Sequence, residues 1–225
     1  MKRHHLFSLT LPIAALTTLP AADIVKTDNG IAAFLTDAAS WSGGVPPGPD
    51  DTAVFDATLA TPANSQHRLG GDMAWGGIRV LDPKAVNVTS GYTVSAQVSA
   101  GVHTGTLTLG AGGIDLSQAV APAGVTNAFF GVGCALKLAA DQTWAVPNLP
   151  AAHDLAFSGS ANRPVDFGGF TVAKSGAGRL TLNGANVLTH GTLDVQGGEV
   201  FLVNTFSVTT NTTSVGRLGA DLTVK

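Results

Sequence analysis

Short stretches of alternating apolar and polar residues recur in the later part of the chain, and glycine, asparagine or alanine separates them. The clearest are residues 179–182, 192–195 and 199–202. Alternation with a period of two places successive side chains on opposite faces of a β-strand. Strands this short cannot bury a face alone, so they must stack on similar neighbours. The pattern therefore predicts an all-β protein built from many short strands.

The spacing of these strands favours a parallel β-helix, which is a solenoid of stacked coils. Two strand pairs repeat at an interval of 20 residues: Ile114 and Leu116 with Cys134 and Leu136, and Leu180 and Leu182 with Val200 and Leu202. About 20 residues is the size of one coil in a solenoid. A β-sandwich is the alternative, although its strands recur every 8–12 residues as hairpins with Asn-Gly or Asp-Gly turns.

Composition supports this fold class and narrows the function. Hydrophobic residues make up 44% of the chain, which is enough for a packed core, whereas charged residues make up only 12% and Glu199 is the sole glutamate. Helix surfaces normally carry many Glu, Lys and Arg residues, so a helical protein is disfavoured. The formal net charge is −3 and there is no basic run. We therefore expect no nucleic-acid partner.

The first 22 residues have the pattern of a secretory signal peptide. A basic start is followed by the apolar run 6–19, and Ala21 and Ala22 offer a cleavage point before Asp23. The run is too short to span a bilayer comfortably, and no later run predicts a transmembrane helix. Within residues 23–64, a Pro/Gly cluster at 43–49 predicts a turn, and the alternation at 52–55 predicts a strand after it. We expect residues 23–64 to cap the solenoid and shield its first strand edge. Residues 65–225 then form the solenoid, and the mature protein is secreted or held at the cell surface.

Carboxylates are the first candidates for chemistry, because glycoside cleavage needs two carboxyl groups some 5–9.5 Å apart. The candidate aspartates are Asp50, Asp51, Asp56, Asp72, Asp82, Asp115, Asp141 and Asp166. Aspartates in Pro/Gly turns commonly bond to their own backbone, and that structural role is favoured here. Convergence of two of Asp72, Asp82, Asp115, Asp141 and Asp166 in a groove beside a Lys or Arg would indicate an enzyme.

Other reactive residue types also favour structural roles. The histidines His67, His103, His153 and His190 lack metal-ligand spacing, so we expect surface or corner positions. Cys134, the only cysteine, is predicted to be a buried apolar residue. Trp41, Trp75, Trp144 and Tyr92 could stack on sugars, but packing in the core is favoured. Residues 110–117 only partly match a calcium-binding nonapeptide, so we interpret residues 110–113 as a corner turn. We predict no catalytic, cofactor or metal site.

The stretch 174–195 carries a family resemblance. Its segments 174–178, 180–186 and 192–195 resemble the autotransporter-associated β-strand repeat, and the similarity extends more weakly over residues 38–204. Residues 187–192 depart from the family, which usually has a longer Tyr-Thr-Gly-Gly-Thr-Thr run there. The resemblance implies an exported right-handed β-helix of the passenger-domain type.

Two functional hypotheses follow. The first is a non-enzymatic β-solenoid that acts as a structural or adhesive module at the cell surface, with surface glycans or matrix polymers as partners. The second is a β-helix that binds or cleaves carbohydrate. The sequence indicates no cofactor and does not define an oligomeric state, an adhesion target or an export route.

Overall fold

The computed structural model describes residues 21–27, 34–56, 58, 66–82, 92–95, 97–99, 102–103, 105–120, 130–148, 155–159, 164–184, 187–203, 217–218 and 222–224. All but the last two residues of the predicted signal peptide lie outside these ranges. Two short 3-10 helices span residues Ala38–Ser40 and Ser42–Gly44, and the other regular elements described are strands. The predicted all-β class is confirmed.

The strands follow one another in short segments. In chain order they are β1 Asp23–Val25, β2 Thr52–Phe55, β3 Gln66–Arg68, β4 Met73–Val80, β5 Tyr92–Ser95, β6 Gln97–Ser99, β7 Val102–His103, β8 Thr106–Asp115, β9 Phe130–Gly133, β10 Ala135–Leu138, β11 Gln142–Ala145, β12 Leu155–Gly159, β13 Val165–Asp166, β14 Thr171–Ser175, β15 Arg179–Gly184, β16 Val187–Thr189, β17 Gly191–Val195, β18 Glu199–Val203, β19 Arg217–Leu218 and β20 Leu222–Val224.

These strands stack into three parallel ladders. Ladder 1 is the six-stranded sheet, in the order β3, β5, β9, β12, β15 and β18. The 12-stranded sheet divides at its long strands β4 and β8. Ladder 2 contains their first halves with β10, β13, β16 and β19, and ladder 3 contains β1, β2 and their second halves with β11, β14, β17 and β20.

From β9 onward the chain passes through ladders 1, 2 and 3 in the same order four times. We call one such passage a circuit. Each strand pairs in parallel with the strand that occupies the same place one circuit later. The described exceptions are the antiparallel pair β6–β7 and the antiparallel bridge Lys26–Trp41. Parallel pairing agrees with the predicted solenoid and differs from the hairpins on which the sandwich alternative depends.

Of the two predicted 20-residue repeats, one is confirmed and one is wrong. Leu180 pairs with Val200 and Leu182 with Leu202, as the spacing predicts. Ile114, however, pairs with Trp144, at a distance of 30 residues along the chain. Leu136 pairs with Leu107 on one side and Val165 on the other. The interval varies because the segments that connect the strands differ in length from circuit to circuit.

The predicted corner turn at residues 110–113 is instead part of the continuous strand β8. The chain changes its pairing there, from Leu109 with Leu138 to Ile114 with Trp144. A Cβ on Gly112 would lie 2.8 Å from the carbonyl oxygen of Gly76 in the preceding circuit. The glycines therefore allow the two backbones to approach closely where ladder 2 passes into ladder 3.

The core is made of rows of side chains that repeat from strand to strand. In ladder 1, Phe130, Leu155 and Leu180 are stacked in register and fully buried. In ladder 3 one row runs through Ile24, Ala53, Ile78, Ile114, Trp144, Lys174 and Val195. Lys174 is the only charged residue in that row. Burying apolar rows in this way contributes roughly 25 cal/mol per Å².

Residues 23–64 supply the first two strands of ladder 3. The strand predicted after the Pro/Gly cluster is present as β2, which pairs with β1 on one side and β4 on the other. Trp41 is buried and packs edge-to-face on Trp75, with ring centroids 5.6 Å apart. This segment therefore shares the core of the later circuits, while its capping role stays a prediction.

Candidate functional site

Three aspartates hold the backbone of a neighbouring circuit. The Asp72 carboxylate accepts a hydrogen bond from the Thr106 amide at 2.8 Å, and the Asp141 carboxylate accepts one from the Thr171 amide at 2.7 Å. In both cases the acceptor lies just before one strand and the donor begins the strand stacked on it. Asp51 does the same for the Ala22 amide at 3.0 Å. These carboxylates therefore have a structural role, but these bonds go to the backbone of a neighbouring circuit, whereas the sequence predicted bonds to their own turn.

Three further aspartates bond to the chain two residues ahead of them. Asp56, Asp115 and Asp166 accept hydrogen bonds from the amides of residues 58, 117 and 168, at distances of 2.8–2.9 Å. This is the geometry of an Asx turn, which fixes a tight change of chain direction. None of these bonds brings two carboxylates together around a common substrate position.

Arg79 is the one described basic side chain beside a candidate aspartate on ladder 3. Its guanidinium lies 2.5 Å from Asp23 and 4.0 Å from Asp115. All three side chains are more than a third exposed. An exposed ion pair of this kind contributes at most about 1 kcal/mol. Only one of the five aspartates proposed as a discriminator for an enzyme (Asp72, Asp82, Asp115, Asp141 and Asp166) lies next to this arginine.

The histidines occupy two kinds of environment. His190 is exposed at the corner between β16 and β17, where its φ is 55°, and its ring nitrogen lies 3.1 Å from Asp166. His67 is only 3% exposed and its ring lies 5.7 Å from that of Phe55, so its predicted surface position is wrong. It lies on an inward position of ladder 1. His153 lies outside the described residues, and only the backbone of His103 is described.

The tryptophans are packed in the core. Trp41, Trp75 and Trp144 are at most 2% exposed. Trp144 stacks on Phe157 with ring centroids 5.0 Å apart and donates its indole hydrogen bond to Gln142 at 2.8 Å. None of the three is available to stack on a sugar, so the packing interpretation is confirmed. Only the backbone of Tyr92 is described. Cys134 is buried, as predicted.

The most unusual polar group is the buried ammonium of Lys174. The side chain is fully buried, and its Nζ donates to the carbonyl oxygens of Gly176 at 3.0 Å, Gly178 at 2.5 Å and Gly197 at 2.6 Å. Two of these carbonyls belong to the corner that follows β14, and the third belongs to the corner one circuit later. Sequence reasoning missed this clamp, although a lysine at an inward position of an alternating strand was a usable signal.

An open polar groove of about 470 Å³ crosses the outer face of ladder 3. It is lined by Ala111, Asp141, Gln142, Thr143, Thr171, Ala173, Asp194 and Gln196. Thr143, Ala173 and Asp194 are register neighbours on three successive strands. The predictions for single residues missed the groove, because its lining comes from four strands far apart in sequence.

The described residues contain no group of three or more His, Cys, Asp or Glu residues placed to hold a metal ion. Within them there is also no helix that is long and apolar enough to cross a membrane. Comparison with known proteins found no matching family model, curated protein or solved structure.

Proposed function

We propose that the three ladders are the walls of a right-handed parallel β-helix, and that this solenoid is an exported, non-enzymatic structural or adhesive module. The observation that carries the proposal is the repeated order of ladders 1, 2 and 3, with parallel pairing at each return. Parallel crossover connections are right-handed in about 98% of cases. The resemblance of residues 174–195 to autotransporter passenger repeats supports the same architecture.

The proposed mechanism is mechanical. In a β-helix the backbone hydrogen bonds between strands lie along the long axis, so stretching or bending the rod works against many of them at once. The outward rows carry small and polar side chains, such as Thr143, Ala173 and Asp194 in ladder 3. Such a surface makes weak contacts that repeat from circuit to circuit. Together they suit a spacer or adhesin at the cell surface.

The cleaving form of the carbohydrate hypothesis has less support. Asp72 and Asp141 each hold the first amide of a neighbouring strand, and Asp115 and Asp166 each hold a turn. Carboxylates committed to the backbone are poorly suited to exchange protons with a substrate. We therefore expect no release of reducing ends when the purified protein is incubated with bacterial and plant polysaccharides. Turnover that is lost on mutation of a groove aspartate would contradict the non-enzymatic assignment.

Export is tested by expressing residues 1–225 in a Gram-negative host and fractionating the cells. We expect the protein outside the cytoplasm with an N-terminus at Asp23, because Ala21 and Ala22 offer the cleavage point. A matched variant that lacks residues 6–19 should stay in the cytoplasm. Retention of the intact chain, with Met1 present, in the cytoplasm would contradict the proposal.

The solenoid and its adhesive role need separate measurements. An experimental structure of the purified mature chain should show the three ladders closed into one right-handed coil, whereas hairpins in two facing layers would contradict the solenoid. Cells that display the chain should adhere to glycan-coated surfaces more strongly than cells that display an unrelated domain of equal size. Equal adhesion by the two would contradict the adhesive role and leave the structural role standing.

A further inference from the structure

In the groove across ladder 3, the polar side chain of the floor is fully hydrogen-bonded to protein, whereas polar groups of the walls still have hydrogen-bonding capacity for a ligand. Gln142 forms the floor: it is 6% exposed, donates to the carbonyls of Leu109 and Gly110, and accepts from Trp144. Its amide is therefore fully engaged by protein. Ligand recognition must come from the other polar residues, which are Asp141, Thr143, Thr171, Asp194 and Gln196.

In each of the two groove carboxylates, one oxygen accepts a hydrogen bond from the described part of the protein and the other oxygen does not. In Asp141, Oδ1 accepts from the Thr171 amide at 2.7 Å; in Asp194, Oδ2 accepts from the Gln196 side-chain amide at 2.9 Å. Among the described residues neither second oxygen has a protein partner. The held oxygens fix the orientation of the two carboxylates. The groove is thus provided with two positioned acceptors.

The negative charge of the groove favours a ligand that carries positive charge. Its described lining contains two aspartates and no lysine or arginine. An acidic polymer would be repelled, whereas a ligand with ammonium and hydroxyl groups would find an acceptor for each. The threonine hydroxyls add groups that can donate as well as accept.

The extent of the groove indicates an oligomeric ligand. Its lining comes from four successive strands, β8, β11, β14 and β17. At about 4.8 Å between neighbouring strands, the groove spans roughly 14 Å. That length exceeds one pyranose ring and suits a short run of linked sugars that lies across the strands.

We propose that this groove binds a glycan with free amino groups, of the glucosamine-polymer class. The proposal rests on the proposed function only in that an adhesive module needs a surface ligand; the groove itself is independent of export. The ammonium groups would pair with the second oxygens of Asp141 and Asp194, and the sugar hydroxyls would bond to the hydroxyls of Thr143 and Thr171.

The test uses purified residues 23–225 and isothermal titration with the hexamer of β-1,4-linked glucosamine. We expect binding that weakens as salt is raised, because exposed ion pairs are screened. Asp141→Asn and Asp194→Asn should each weaken binding about fivefold, and the double variant roughly twentyfold. Asparagine keeps the Oδ1 acceptor, so the backbone bond of Asp141 survives the change.

Asp72→Asn is the matched control. Asp72 holds the Thr106 amide as Asp141 holds the Thr171 amide, but it is absent from the groove. This variant should bind like the parent protein. Thermal unfolding of all variants checks that a loss of affinity does not reflect a loss of folding.

Two ligand comparisons decide the chemistry. The N-acetylated hexamer lacks the positive charge and should bind at least about fivefold more weakly; an oligogalacturonate should not bind. Equal binding of charged and neutral hexamers, no binding of either, or equal affinity in the Asp194→Asn variant would overturn the proposal. If the chain is exported but binds no glycan, the glycan proposal fails and the proposed function stands. If the chain binds the glucosamine hexamer but is not exported, the proposed function fails and the glycan proposal stands.

Discussion

Replacement of Lys174 by methionine tests whether the buried ammonium holds two circuits together. Methionine keeps the length and most of the apolar volume of the lysine stem while removing the charge and all three donors. The carbonyls of Gly176, Gly178 and Gly197 then lose their common partner. We expect the circuits to separate more easily at this corner.

The magnitude follows from the contacts. A hydrogen bond from a charged donor contributes about 1.5–3 kcal/mol, so three give roughly 5–9 kcal/mol before solvation is considered. Taking the ammonium out of water costs several kcal/mol, which the variant recovers. The Gly178 carbonyl also keeps its bond from the Glu199 amide at 3.3 Å. The net destabilisation should be roughly 2–4 kcal/mol.

Chemical denaturation and thermal melting measure the effect. At roughly 2–4 °C per kcal/mol for a protein of this size, the melting temperature should fall by about 4–16 °C. Lys137→Met is the matched control, because Lys137 lies at an exposed position of β10 and should change stability by less than about 0.5 kcal/mol. Equal stability of the two variants would refute the clamp.

Three further changes probe the stacking. Gly176→Ala should destabilise the protein by more than about 3 kcal/mol, because φ is 80° and the new Cβ would lie 2.3 Å from the Val146 carbonyl oxygen. Gly169→Ala is the control: φ is 91° but the space around it is open, so the change should cost only about 1 kcal/mol. Equal losses in the denaturation midpoint of the two variants would contradict this prediction. Trp144→Ala should cost about 3–5 kcal/mol, as seen by calorimetry, because the ring is fully buried, and a loss under about 1 kcal/mol would mean that the row is not packed. Arg179→Ala should cost under about 1 kcal/mol in the same assay, since its ion pair to Glu199 at 3.1 Å is exposed, and a larger loss would show a structural role.

Alternation along single strands was enough to predict much of the core. Leu180 and Leu182 are inward because they alternate with polar residues, and the structure buries both. The same rule identified β2 as a strand after the Pro/Gly cluster. Trp144 could be assigned to the core for the same reason. These features are local, since side chains of neighbouring residues must point to opposite faces of a strand.

The candidate site was less accessible to sequence reasoning. The aspartates could be identified as turn residues, but not as holders of a strand about 30 residues away, as Asp141 is for Thr171. His67 shows the opposite error, because a lone polar residue gave no sign that its position in ladder 1 is buried. The groove was not visible at all, since its walls are assembled from several circuits.

The sequence by itself determined the strand content and the identity of most inward side chains, because these depend on the two-residue period. It favoured parallel stacking but left a sandwich as the alternative. Only the tertiary structure decided which strand lies on which. The interval between residues paired in parallel ranges from 20 for Leu180 and Val200 to 38 for Tyr92 and Phe130. Connecting segments can lengthen without disturbing the stack, since closing a longer loop adds only about 0.6 kcal/mol per doubling. Contacts that join circuits, such as Lys174 with Gly197, therefore exist only once the strands of successive circuits are paired.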